Sequence, residues 1–253
     1  MTGTRPRPSA PPPEALIVAH GQPGDPAPAE AEIAALARRV GAELPGWRVR
    51  GATLAAPGAL EAALGACAAP PLVYPLFMTD GWFVTSQLPA RLGNRAGRVL
   101  APLGLDPALP ALAAGALTQA ARARGWASRE SRVIIAGHGS GRSRNSARAT
   151  EGFARALAAL TDFADIRTGY VEEPPFLRDA AAGMGAQALC LPFFAARRGH
   201  VIDDIPAALE AAAFAGDILD PIGLHPGVPA LIARALRAAA PPRPSSETAP
   251  PRP

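Results

Sequence analysis

Lysine is absent from this chain. Its 253 residues carry twenty-five basic side chains, and every one is arginine. That removes chemistry needing a lysine amine: the phosphate-gripping lysine of P-loop enzymes, Schiff-base formation and the lysine of protein kinases. Cysteine is scarce, with two residues, so a disulfide scaffold is excluded and a reducing compartment is expected. Aromatic residues make up only 5% of the chain, so its apolar half rests on Ala, Leu and Val. Such a composition suits Ala-rich helices packed closely on strands. No run is long and apolar enough for a membrane span. The longest uncharged stretch, Ala62 to Thr79, is broken by Pro70, Pro71 and Pro75. The opening residues, Met1 to Pro13, lack the apolar centre of a secretory signal. A cytoplasmic protein with no membrane partner is expected. No basic run or basic face interleaved with aromatics is present, so no nucleic-acid partner is expected either.

What is present is a net charge of +4 carried by guanidinium forks, which suit carboxylate or phosphate partners. Residues 1–13 and 241–253 are Pro-rich and polar and read as disordered tails. Between them, short apolar runs alternate with Ala/Leu/Arg runs. Strands are expected at Ala15–Ala19, Arg48–Leu54, Leu72–Leu76, Arg98–Ala101, Arg132–Gly137, Asp165–Val171, Ala186–Pro192 and Asp217–Leu219. Helices are expected between them, as at Ala29–Leu44, Pro107–Arg122, Ser146–Leu160 and Val228–Ala239. Several strands are continuously apolar, as parallel strands buried on both faces are. The reading is an α/β fold with parallel sheets flanked by helices.

The chain also repeats itself. Leu100 to Leu112 matches Leu219 to Leu231, Pro75 to Pro89 matches Pro192 to Pro206, and Val18 to Gly21 matches Ala136 to Gly139. Three segments in one order at a near-constant offset indicate two homologous halves, 14–125 and 126–240, each with flavodoxin-like βα units.

In an open parallel sheet, ligands bind beyond the carboxyl ends of the strands. In the second half, one strand ends at His138 in Gly-His-Gly-Ser. The next ends at Glu172-Glu173, and the third runs into Gly199-His200 and Asp203-Asp204. Two imidazoles and a carboxylate can therefore converge on one cleft. Such a set suits a borderline divalent ion such as Co, Ni, Fe or Zn, and proton abstraction near neutral pH. Spacing alone leaves Glu172 and Glu173 nearly equivalent. The first half acts as an internal control: it keeps His20 but has Ala55 and Phe83 where the second half has Glu172 and His200. Structural residues are shared between repeats, whereas functional ones need survive in only one.

Gly-His-Gly-Ser, Tyr-Val-Glu-Glu-Pro-Pro and Pro-Phe-Phe-x4-Gly-His-Val-x-Asp-Asp-Ile-Pro together resemble the class II tetrapyrrole chelatases, most nearly the two-half sirohydrochlorin cobalto- and ferrochelatases. The resemblance covers nearly all of the chain between the tails. It implies a lyase of cobalamin or siroheme synthesis that inserts a divalent metal into an anionic tetrapyrrole without an organic cofactor. The metal, Co2+ or Fe2+ with Ni2+ also compatible, is then a substrate. By the motif match, His138 and His200 bind the ion and take pyrrole protons. Glu172, favoured over Glu173, assists delivery and proton removal. His20, Arg142, Arg144, Trp82 and Phe83 are the expected contacts to the macrocycle. Many two-half relatives carry the full set in the first half, whereas here the second half carries it. The alternatives are a non-catalytic tetrapyrrole or metal carrier, and a hydrolase using Ser140. The hydrolase lacks the Gly-x-Ser-x-Gly elbow. Oligomeric state stays open, a homo-oligomer included. Asp203 and Asp204 read as helix-start residues, His225 as a turn residue, and Cys67 and Cys190 as small core hydrophobes.

Overall fold

The structure, a computed structural model, describes residues 11–141 and 143–241. Arg142 lies outside the described residues. So do the segments read as tails, apart from residues 11–13 and 241.

Strands Glu14–Ala19 (β1), Arg48–Thr53 (β2) and Leu72–Pro75 (β3) form one sheet in the order β2-β1-β3. Arg132–Gly137 (β4), Asp165–Tyr170 (β5), Ala188–Pro192 (β6) and Asp217–Ile218 (β7) form a second, in the order β5-β4-β6-β7. Every pairing is parallel. The helices are Pro26–Glu43 (α1), Ala59–Gly65 (α2), Leu88–Leu92 (α3), Leu109–Ala123 (α4), Asn145–Ala158 (α5), Leu177–Ala181 (α6), Ile205–Ala211 (α7) and Val228–Ala239 (α8). Proline opens α1, α3, α4, α7 and α8, where its missing N–H costs no hydrogen bond. No helix among the described residues is long and apolar enough to cross a membrane.

The strand expected at Arg98–Ala101 shrinks to a single bridge, Val73 to Val99. Its two rungs are Val73 N–H to the Arg98 carbonyl and Leu100 N–H to the Val73 carbonyl, both 2.9 Å. The next rung of a parallel ladder would need an N–H at position 75, and Pro75 has none. Pro192 cuts the β6–β7 pairing in the same way, just after Leu219 N–H meets the Cys190 carbonyl at 2.9 Å.

Side chains alternate along the strands and build three cores. Leu16 and Val18 face outward onto α2 and α3, with Leu60, Leu64 and Leu88. Ile134, Ala136 and Cys190 face outward onto α6 and α7 in the other half, with Leu177, Ile205 and Leu209. The inward set, Ala15 and Ile17 from one sheet with Val133 and Ile135 from the other, shares one central core with α1, α4, α5 and α8. The last helix of each half crosses over: α4 packs beside α5 and touches β6, and α8 packs beside α1 and touches β3. The repeat boundary in sequence is therefore not a packing boundary. Ion pairs such as Arg124–Asp217 (2.7 Å) tie the halves further.

Candidate active site

The carboxyl ends of both sheets open into one cleft of about 1170 Å³ between the halves. Its walls are largely apolar and come from the segments after β1, β3, β4 and β6, from α1 and from the start of α8. Trp82, Phe83 and Phe77 stand on the first-half side, and Phe193 and Phe194 on the second. His20 and His138 both line it.

Each of these histidines follows its strand at a tight turn through glycine. Gly21 and Gly139 have φ of +78° and +74°. A Cβ on Gly139 would meet Tyr170 Cβ and Glu173 Cγ at 2.9 Å, and one on Gly21 would meet Thr53 Cβ at 2.6 Å. Only glycine fits both the backbone angle and the space. The His-Gly pair is thus shared because the turn needs it. In both halves the imidazole is held by the glycine it precedes. His20 Nδ1 donates to the Gly21 carbonyl at 2.9 Å, and His138 Nδ1 to the Gly139 carbonyl at 2.7 Å. A carbonyl only accepts, so the proton sits on Nδ1 and Nε2 keeps its lone pair.

Next to His138, the second half adds two residues that do not themselves line the cleft. Glu172 lies at the end of β5, and its carboxylate is 3.7 Å from His138 Nδ1 and 3.8 Å from His200 Nε2. His200 opens a five-residue π-helical turn, His200–Asp204, ahead of α7. Its ring stands edge-on to that of His138, with centroids 4.5 Å apart and planes at 85°. One ligand atom from each of His138, Glu172 and His200 falls within 4.8 Å of the others. The three side chains are 43%, 45% and 37% exposed, so an ion from solvent can reach them. Two ligands each about 2.1 Å from one ion lie roughly 3–4 Å apart, a spacing that modest side-chain rotation reaches here. Among the described residues this is the one cluster with metal-binding geometry.

Glu173 points elsewhere. Its Oε1 accepts the Ser140 N–H at 3.0 Å and braces the loop after His138. The two adjacent glutamates, nearly equivalent by spacing, are thus separated by direction. Asp204, read as a helix-start residue, does stand directly before α7, but its Oδ2 also accepts from His200 Nδ1 at 2.6 Å. Asp203 is exposed.

The first half presents the same arrangement without the ligands. Phe83 lies on the matching π-helical turn, Phe83–Gln87, edge-on to His20 at 4.4 Å and 90°. It stacks on Phe77, and Trp82 leans on it edge-on. Trp82 is 63% exposed and lines the cleft.

Arg144 departs from expectation. It is not part of the cleft wall; its guanidinium faces Glu151 of α5 at 3.9 Å. Arg142 lies outside the described residues. Among the described residues, the guanidinium groups that do line the cleft are Arg39, Arg197 and Arg198. Arg39 reaches the Pro226 carbonyl at 3.3 Å, Arg197 pairs with Asp220, and Arg198 pairs with Glu32 across the halves at 2.6 Å. The Arg197-Arg198 pair, just ahead of Gly199-His200, was the available signal. Arg39 could not be placed without knowing which face α1 turns to the cleft.

His225 also lines the cleft, yet its Nδ1 accepts the Gly227 N–H at 3.1 Å. The matching Asp106 accepts the Ala108 N–H at 2.9 Å. Two residue types thus hold one kind of turn. Burial lowers the basicity of His225. Cys190 is buried in β6, and desolvation pushes its thiol up to about 12, which leaves it inert.

A family model described as CbiX matches residues 132–239, the half that holds the cluster. Among solved structures, a CbiX described as the terminal enzyme for biosynthesis of siroheme in denitrifying bacteria is 48% identical. The match covers 90% of this chain and 99% of that one, with a TM-score of 0.82. SirB from Bacillus subtilis, solved with Fe3+, is 18% identical over 89% of this chain and 94% of its own, with a TM-score of 0.72. A multi-domain protein from Deinococcus radiodurans, with structural similarity to chelatases and two additional domains, is 21% identical. That match covers 88% of this chain and 54% of that one, with a TM-score of 0.69. The last two likenesses speak for the fold alone. No curated protein matches the chain by sequence.

Proposed function

This chain belongs to the CbiX family of class II tetrapyrrole chelatases, and we infer that it inserts a divalent metal ion into sirohydrochlorin. The observation that carries this reading is the meeting of His138, Glu172 and His200 beside an apolar cleft. Insertion must strip water from the ion and remove two pyrrole protons. Neutral imidazoles do both in turn, as ligands and then as bases. Nε2 of His138 is free for this because Nδ1 is tied to the Gly139 carbonyl. Glu172 stands beside both rings, where it offsets the charge of the ion and can receive a proton as the pyrroles lose theirs. No organic cofactor has a role in this scheme.

Phe77, Phe83 and Trp82 supply an apolar aromatic wall for the macrocycle. Arg39, Arg197 and Arg198 offer forks to its peripheral carboxylates, and Glu32 and Asp220 hold two of those forks until the substrate arrives. His20 contributes to this wall rather than to the metal, since Ala55 and Phe83 beside it cannot ligate an ion. Ferrous iron is the favoured ion, because the 48% identical relative is described as the terminal enzyme of siroheme biosynthesis and siroheme is an iron complex.

The test is an anaerobic insertion assay with sirohydrochlorin and Fe2+, Co2+ or Ni2+ in turn, followed by the change in tetrapyrrole absorbance. Catalysed insertion with Fe2+ fastest is expected. Tight tetrapyrrole binding with no acceleration for any ion would instead identify a carrier.

A further inference from the structure

We propose that Asp204 is the positioning residue that fixes the tautomer and orientation of His200, so that Nε2 is presented to the incoming ion. This deepens the chelatase reading above and rests on it. His138 is oriented by a backbone carbonyl, which is present whatever its neighbours' side chains are. Among the described residues, no such carbonyl holds His200. Its ring bond goes from Nδ1 to Asp204 Oδ2, at 2.6 Å within one π-helical turn. An ionised carboxylate only accepts, so the proton is held on Nδ1 and the lone pair on Nε2. Nε2 is also the nitrogen nearest Glu172, at 3.8 Å from Oε1. Ring packing against His138 does not decide which nitrogen faces Glu172, and the Asp204 bond does.

The repeat isolates what the scaffold requires. In the first half the matching pair is Phe83 and Gln87, and α3 starts after Gln87 as α7 starts after Asp204. An acid is therefore not needed to begin the helix. Among the described residues, Gln87 Oε1 is buried without a hydrogen-bond partner. At these two turn positions, imidazole and carboxylate occur together in one half and are absent together from the other.

The experiment is Co2+ titration of the full chain without tetrapyrrole, read by calorimetry and by the visible absorption of bound Co2+. Asp204→Ala is expected to weaken Co2+ by about 10–100-fold. Asp204→Asn, whose side-chain oxygen still accepts from Nδ1, is expected to recover most of that loss. In a His200→Ala background, Asp204→Ala is expected to cost nothing further. Asp204→Ser, too short to reach the ring, replaces the Ala variant if that does not fold. The proposal is overturned if Asp204→Ala (or Ser) binds Co2+ as the unaltered chain does while His200→Ala weakens it. It is also overturned if the loss is equal in both backgrounds. If His200→Ala itself leaves Co2+ affinity unchanged, the ligand assignment fails, and Asp204 with it.

Discussion

The two halves of this chain solve the same folding problem and divide the chemistry. Each has a central strand ending in a histidine, a glycine turn at positive φ, and a π-helical turn that aims a ring at that histidine. The ring pairs nearly superimpose in geometry: 4.4 Å and 90° for His20–Phe83, 4.5 Å and 85° for His138–His200. What differs is which atoms the second ring carries, and whether a carboxylate stands beside it. Phenylalanine there gives an apolar surface, whereas histidine with Glu172 gives a cluster with the geometry to hold a metal ion. A duplicated scaffold can therefore specialise by changing few side chains, because the backbone supplies position independently of chemistry.

The comparison breaks first at His200. His200→Ala is expected to reduce metal insertion at least about a hundredfold, measured by tetrapyrrole absorbance. Its Tm is expected to stay within about 3 °C of the unaltered chain, because Phe83 shows that the fold accepts a non-histidine at this position. Insertion at the original rate, or an unfolded variant, would remove His200 from the site.

A paired substitution sharpens the division of labour. Glu172→Ala is expected to lower kcat about 10–100-fold with KM for the tetrapyrrole nearly unchanged, since its carboxylate acts on ion and protons in the transition state. His20→Ala is expected to change KM by about three- to fivefold and kcat little. Equal collapse of kcat in both would mean that the halves share the ion.

The converse experiment rebuilds the missing site. Combining Ala55→Glu, Phe83→His and Gln87→Asp places the second half's three differing side chains on the first half's backbone. A second equivalent of bound Co2+ is expected by calorimetry, about tenfold weaker than the first because its surroundings are not tuned for it. Unchanged stoichiometry would show that more than these side chains separates the halves.

The smallest expected effect concerns the turns that match at Asp106 and His225. Burial holds His225 below the ordinary 6.5 of an imidazole in the folded chain, so the unfolded chain binds the proton more readily. Its contribution to stability is full above about 6.5 and is lost as pH falls through the lower folded value. A Tm decline of about 1–3 °C across that window is expected, absent in His225→Asp, whose carboxylate titrates lower. An identical decline in the variant would assign the dependence to another group.

The parallel α/β class could be read because continuously apolar runs alternate with Ala-rich runs between Gly/Pro punctuation. The three residues of the cluster could be read because each follows a strand and two of them have no counterpart in the first half. Other features were hidden by the limits of one-dimensional spacing. The fourth strand of the first half looked regular, and Pro75 on its neighbour, not its own residues, cuts it to one bridge. Arg144 follows the His-Gly-Ser motif closely, yet it turns to Glu151 on the helix that follows. Arg39 is remote from any motif, yet it reaches the cleft because of the face that α1 presents.

Sequence by itself determined the residue types at strand ends and the places where glycine must turn the chain. Those follow from local rules: the period of the strand, the missing Cβ of glycine and the missing N–H of proline. Only the tertiary structure decided which of two adjacent glutamates faces the histidines. It also showed that Asp204 contacts His200 besides preceding a helix, and that α4 and α8 exchange sheets. The physical reason is that these outcomes depend on directions in space. A side chain's direction is set by the packing of elements far apart in the chain, which no local spacing encodes.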